Sequence, residues 1–99
     1  MPRAPMARRR RLWRFDDRER EVLYEAALKP SVSTRLLAVV VSAERRADLG
    51  GMWVVEATAR ELDEMYDFVE GLMGRTRSEE RRELLEGLLA GLSACIDGF

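Results

Sequence analysis

The sequence contains no histidine, one cysteine, three prolines and one lysine in 99 residues. Without imidazole, every Ser-His or Cys-His nucleophile pair is excluded. The lone Cys95 excludes an internal disulfide, and one thiolate with no imidazole cannot build a zinc site. A single cysteine makes a reducing compartment the default, so a cytoplasmic protein is expected. Long apolar runs are also missing. The longest wholly apolar stretch is Leu36 to Val41, far short of the ~20 residues a membrane helix needs, so no membrane is expected among the partners. Nor does a secretory signal show. The early arginines are followed by Trp13-Arg14-Phe15-Asp16-Asp17, where an apolar segment would have to stand.

Hydrophobic residues make up 46% and charged residues 35%, the balance of a globular domain with a modest core. The net charge of −1 hides a division. Residues 1–14 carry six arginines and no acid, and the remainder carries an excess of seven acids. Residues 1–11 hold two prolines and five arginines without hydrophobic periodicity, and are expected to form a flexible basic arm. Residues 12–99 are expected to form one domain.

The stretch Met52 to Met73 organises that domain. Met52 to Ala57 is apolar except for Glu56 and suits a half-buried strand. Thr58 and Glu61 have capping-box spacing. Leu62, Met65, Tyr66, Val69, Leu72 and Met73 then form one apolar helical stripe, which Gly74 is expected to end. Upstream, Leu12 to Phe15 is a candidate strand, and Asp16 with Glu19 makes a second capping box. That helix runs to about Lys29, before Pro30. Residues 36–43 fit either a buried strand or a helix. One helix of about residues 34–48 is favoured, because Ser42 to Leu49 is a good helix former that ends at Gly50-Gly51. A last helix is expected over about residues 79–96, with Ser78 as its cap.

The expected fold is α+β and mainly α, a single domain of order β-α-α-β-α-α with a small two-stranded antiparallel ribbon. Shifting the chain by 42 lays Arg18-Glu19 on Arg60-Glu61 and Tyr24 on Tyr66. An internal βαα repeat of 12–49 on 52–96 is one reading of this match, and chance recurrence of a capped amphipathic helix is the other.

Three surfaces are candidates for function, and no catalytic or cofactor motif is among them. The last helix carries Leu84, Leu85, Leu88, Leu89, Leu92 and Ile96, a face wide enough to exceed one small core. Gly87 and Gly91 would let another helix approach, so Gly87, Leu88, Gly91, Leu92 and Cys95 are the expected interface of a homodimer or of contact with another protein. The basic arm, Arg8, Arg9, Arg10, Arg11 and Arg14, is the expected phosphate-binding element if nucleic acid is the partner. The strand-helix-helix order is similar in topology to the ribbon-helix-helix repressors, without a family motif. The outward strand positions Leu12, Arg14, Met52, Val54 and Glu56 would nevertheless read base edges poorly. Asp63, Asp67 and Glu70 share a helix face that could hold Mg²⁺ or Ca²⁺ weakly, serve as an acid/base pair, meet the arm, or simply be solvated. A non-enzymatic, self-associating interaction module is the expected function. Nucleic-acid binding through the arm comes next, and an enzyme or metal binder on the acidic face third.

Overall fold

The computed structural model describes residues 10–97. It is mainly helical with one small sheet, in the order β1 (Arg10–Phe15), α1 (Asp17–Ala27), α2 (Thr34–Val41), β2 (Glu44–Arg46), β3 (Met52–Thr58), α3 (Ala59–Arg75) and α4 (Glu79–Asp97). A 3₁₀ turn, Ala47–Leu49, joins β2 to β3. The fold class is the one expected, with the ribbon enlarged to three antiparallel strands in the order β1-β3-β2.

Both capping boxes form. The Asp16 side chain accepts from the Glu19 N–H at 2.8 Å while the Glu19 carboxylate accepts from the Asp16 N–H at 2.9 Å. Thr58 and Glu61 repeat the exchange at 3.2 and 2.9 Å. Each box turns the chain from strand to helix within one residue, so β1 leads directly into α1 and β3 into α3. Ser78 caps α4 by accepting from the Arg81 N–H.

Three local expectations are corrected. The strand β1 begins at Arg10, so the arm's expected boundary at residue 11 falls inside the sheet. Arg10 and Arg11 pair with Thr58 and Ala57, and the backbone ladder overrides the absence of apolar alternation. The expected helix of 34–48 stops at Val41. Ser42 closes it with its Oγ donating to the Val39 carbonyl. Glu44–Arg46 then pairs with Val54–Met52, a tertiary partner that outweighs the helix propensity of the segment. Gly74 remains helical, and α3 ends instead at Thr76, whose extended backbone leads to α4. At Gly50 and Gly51 the chain reverses with φ of 70° and 79°, which the glycines permit without a Cβ penalty.

The register assigns the two faces of the sheet. Opposed pairs Trp13–Val55 and Phe15–Trp53 share one face, and Leu12–Glu56 and Arg14–Val54 share the other. The first face meets the helices. Trp13, Phe15 and Val55 join Leu23, Val40, Leu62, Met65, Val69, Leu85, Leu88 and Leu92 in one continuous core. The Trp13 and Phe15 rings lie 4.7 Å apart at 60°. Trp53 is only half-buried, at the margin of that face against α1.

Candidate interaction surface

Of the small residues on α4, Gly91 packs against its own chain, whereas Gly87 and Ala94 are exposed. A Cβ on Gly91 would stand 3.7 Å from Trp13 Nε1, and one on Gly87 would stand 3.2 Å from Glu19 Oε2. Leu88 and Leu92 are fully buried in the core. The centre of the wide apolar face read from the sequence is therefore spent inside the domain, covered by α3 and β1, while Leu84, Leu89 and Ile96 at its margins are half-buried. Of the expected seam of Gly87, Leu88, Gly91, Leu92 and Cys95, Leu88 and Leu92 are committed to the core, while Gly87 is exposed and Gly91 and Cys95 are half-buried. Cys95 is half-buried, and its thiol donates to the Leu12 carbonyl at 2.9 Å. Burial pushes its pKa up, against the opposing pull of Arg11 and Arg14, so the nucleophilic thiolate is disfavoured.

The arginines of the expected arm separate. Arg8 and Arg9 lie outside the described residues. Arg11 donates to the carbonyls of Cys95, at 3.1 Å, and Ile96, placing a cation at the C-terminal end of α4. Arg10 donates to the Glu56 carbonyl at 3.2 Å. Arg14 is exposed on the outer sheet face. None of these three contacts involves the acidic face of α3, and the expected meeting of arm and acid depends also on Arg3, Arg8 and Arg9, which lie outside the described residues.

On α3, Asp63, Asp67 and Glu70 are exposed along one side. Among the described residues no group of three or more His, Cys, Asp or Glu side chains is arranged to hold a metal ion, so the spacing on the helix does not produce a chelating cluster. The ion pairs of this helix lie elsewhere: Glu64 meets Arg35 at 2.9 Å and Arg60 at 3.9 Å.

The outer face of the sheet is a further candidate surface. Its apolar centre is Leu12, Val54 and Met52. Leu12 is 50% exposed, and Met52 is half-buried. Val54 is buried yet takes no part in the core, because it stands between Arg14 and Glu44 on the two neighbouring strands. Charges surround the centre: Arg10 and Arg14 on β1, Glu56 on β3, Glu44 and Arg46 on β2. A shallow depression crosses this face, floored by Leu12 and Val54 and walled by Arg10, Glu44, Arg46 and Glu56. The sequence already places Leu12, Arg14, Met52, Val54 and Glu56 outward. It does not reveal Glu44 and Arg46, since Glu-Arg-Arg carries no strand signal.

The opposite margin holds a polar clamp on Trp53. Its Nε1 donates to Asp17 at 2.7 Å, and the Arg20 guanidinium stacks over the ring at 4.1 Å. Arg45 pairs with the same Asp17 carboxylate, tying β2 to α1. By register Trp13, Phe15 and Trp53 all lie on the inner face, so among the described residues no aromatic side chain of the sheet lies on the outer one. Base stacking, the usual anchor of single strands on a sheet, has no platform there. The ribbon-helix-helix likeness also ends here, since β1 pairs within its own chain in a three-stranded sheet and not as half of a two-stranded ribbon.

Among the described residues no helix is long and apolar enough to cross a membrane. In comparisons with family models, curated proteins and solved structures, the chain matches none.

Proposed function

We propose that this is a small, non-enzymatic protein-interaction module of the cytoplasm that self-associates through the outer face of its sheet. The observation that carries it is the set Leu12, Val54 and Met52, with Leu12 half-exposed and Val54 buried between its neighbours, ringed by side chains of both signs on the sheet face turned away from the main core cluster. An apolar centre with a polar rim is the usual anatomy of a protein interface, and charges of both signs favour a protein partner over a polyanion. The small area of the face points to a reversible contact.

Amide shifts followed over a concentration series test this. Concentration-dependent shifts confined to Leu12, Arg14, Glu44, Met52, Val54 and Glu56 are the expected result, accompanied by a rise in sedimentation mass that Leu12→Asp abolishes. Amides that stay fixed up to millimolar protein, while duplex DNA at low salt shifts Arg10 and Arg14, would replace this function with nucleic-acid binding.

A further inference from the structure

The charge pattern of the outer face selects one arrangement of two copies. Across the strands, one row reads Arg14, Val54, Glu44, from β1 through β3 to β2. The next row toward the β2–β3 turn reads Met52 and Arg46, with the exposed Asp16 beyond the end of β1. Two such faces can stack about a two-fold axis that runs along β3 or about one that runs across the strands. A transverse axis through Val54 sets Arg14 on the partner's Arg14 and Glu44 on the partner's Glu44, with like charges opposed on both sides. The axis along β3 exchanges the flanking strands, so β1 of each copy lies over β2 of the other. Arg14 then faces Glu44 of the second copy on both sides of the axis, and Arg46 comes over Asp16. Val54 meets Val54, and Met52 meets Met52.

We infer that the occupant of the outer face is a second copy of this chain, stacked face to face about a two-fold axis parallel to β3, with Arg14 of each copy opposite Glu44 of the other. The inference rests on the outer face being the protein-binding surface and fixes the partner and the register on it. Alignment of the two sheets falls within the ~30° that twisted sheets adopt when they stack. A two-fold contact requires a self-complementary patch, which the Arg14, Val54, Glu44 row provides. One like pair remains, Glu56 over Glu56. Arg10, whose guanidinium reaches the Glu56 carbonyl at 3.2 Å, stands beside it and offsets the repulsion. At ~3.3 Å per residue along β3 and ~4.8 Å between strands, the face measures roughly 23 by 14 Å. A footprint of roughly 300 Å² per copy is below the size of stable specific interfaces, so only a weak, transient dimer is expected.

Charge reversal tests the register in the full chain. Arg14→Glu and Glu44→Arg each oppose like charges twice per dimer and should weaken the dimer at least tenfold in sedimentation equilibrium. The double variant exchanges the signs and should return the affinity to within about threefold of the original. Both residues are exposed, and unchanged circular dichroism verifies that the variants fold. Single reversals that leave the affinity unchanged, as a transverse axis predicts, or a double variant no tighter than the singles, would overturn this register. If Leu12→Asp still abolished the dimer in that case, the outer face would stand as the interaction surface with a different geometry. An unreversed chain that remained monomeric at millimolar concentration would remove both.

Discussion

The indole of Trp13 lies against the backbone of α4 at Gly91, where an added Cβ would stand 3.7 Å from Nε1. That spacing is ordinary van der Waals contact, so Gly91→Ala fits. Replacing a helix-interior glycine gains up to ~1 kcal/mol in helix propensity, and thermal unfolding should show a rise of a few degrees. Gly91→Leu, by contrast, drives a branched chain into Trp13 and should destabilise the monomer by ~1–3 kcal/mol. Both variants should leave the sedimentation behaviour of the folded protein unchanged, since Gly91 packs against Trp13 of its own chain.

The two tryptophans should respond differently to a quencher. Trp13 is 1% exposed, whereas Trp53 sits half-buried beneath Arg20. Acrylamide should reach only the Trp53 emission, and Trp53→Phe should leave a protected signal. Asp17→Ala removes the acceptor of the Trp53 N–H and the partner of Arg45 together. The loss should be ~1 kcal/mol, modest because the carboxylate is solvated, with the quenching of Trp53 increased.

Glu19 gives the fold a pH signature. Burial raises its carboxyl pKa above the ordinary 4.5, despite the Asp16 N–H that favours the charged form, and nearby Asp16 adds a smaller upward push. Folding therefore favours the protonated acid. The charged form opposes folding above the raised pKa, and this opposition disappears as pH falls through the raised value toward 4.5. Glu19→Gln keeps a side-chain acceptor for the capping box and removes the charge. Denaturant midpoints should show the variant slightly more stable at neutral pH, with the difference vanishing below about pH 4.5.

The end of α4 depends on a strand residue. Arg11→Met removes the guanidinium from the Cys95 and Ile96 carbonyls while keeping much of the side-chain length. A cation hydrogen-bonded at a helix C-terminus is worth ~0.5–2 kcal/mol. Amide exchange in the last turn of α4 should accelerate, and the Cys95 thiol should react faster with an alkylating agent as its cover loosens. In the unmodified protein that thiol should react more slowly at neutral pH than a free cysteine.

The capping boxes explain why so much of the architecture was legible. Asp16 with Glu19 and Thr58 with Glu61 state both a strand end and a helix start in four residues, and the alternation of Trp13 and Phe15 sets the inward face of β1. Segments whose structure is decided by distant partners were not legible. Glu44–Arg46 is charged throughout and becomes a strand only because Val54 to Met52 lies beside it, so the strand and the outer-face charges Glu44 and Arg46 went unseen together. The apolar face of α4 was visible as a helix stripe, but its covering by Trp13 depends on a register that periodicity within one helix does not encode. The outward residues of β1 and β3 were readable individually. Their role as a surface emerges only when the third strand completes it.

The placement of β1 also shapes how the chain is made. This strand leaves the ribosome ahead of its partners: β3 follows some forty residues later and its cover α4 some seventy residues later. At ~5–20 residues per second, Trp13 and Phe15 await burial for several seconds on the ribosome. The sheet can pair once β3 has emerged, but its inner face stays incompletely covered until α3 and α4 follow, and the long-range pairing slows folding relative to a simple helical bundle. A nascent strand with two large aromatics on one side is a natural binding site for a chaperone, and the arginines on its other side discourage pairing with a neighbouring nascent chain.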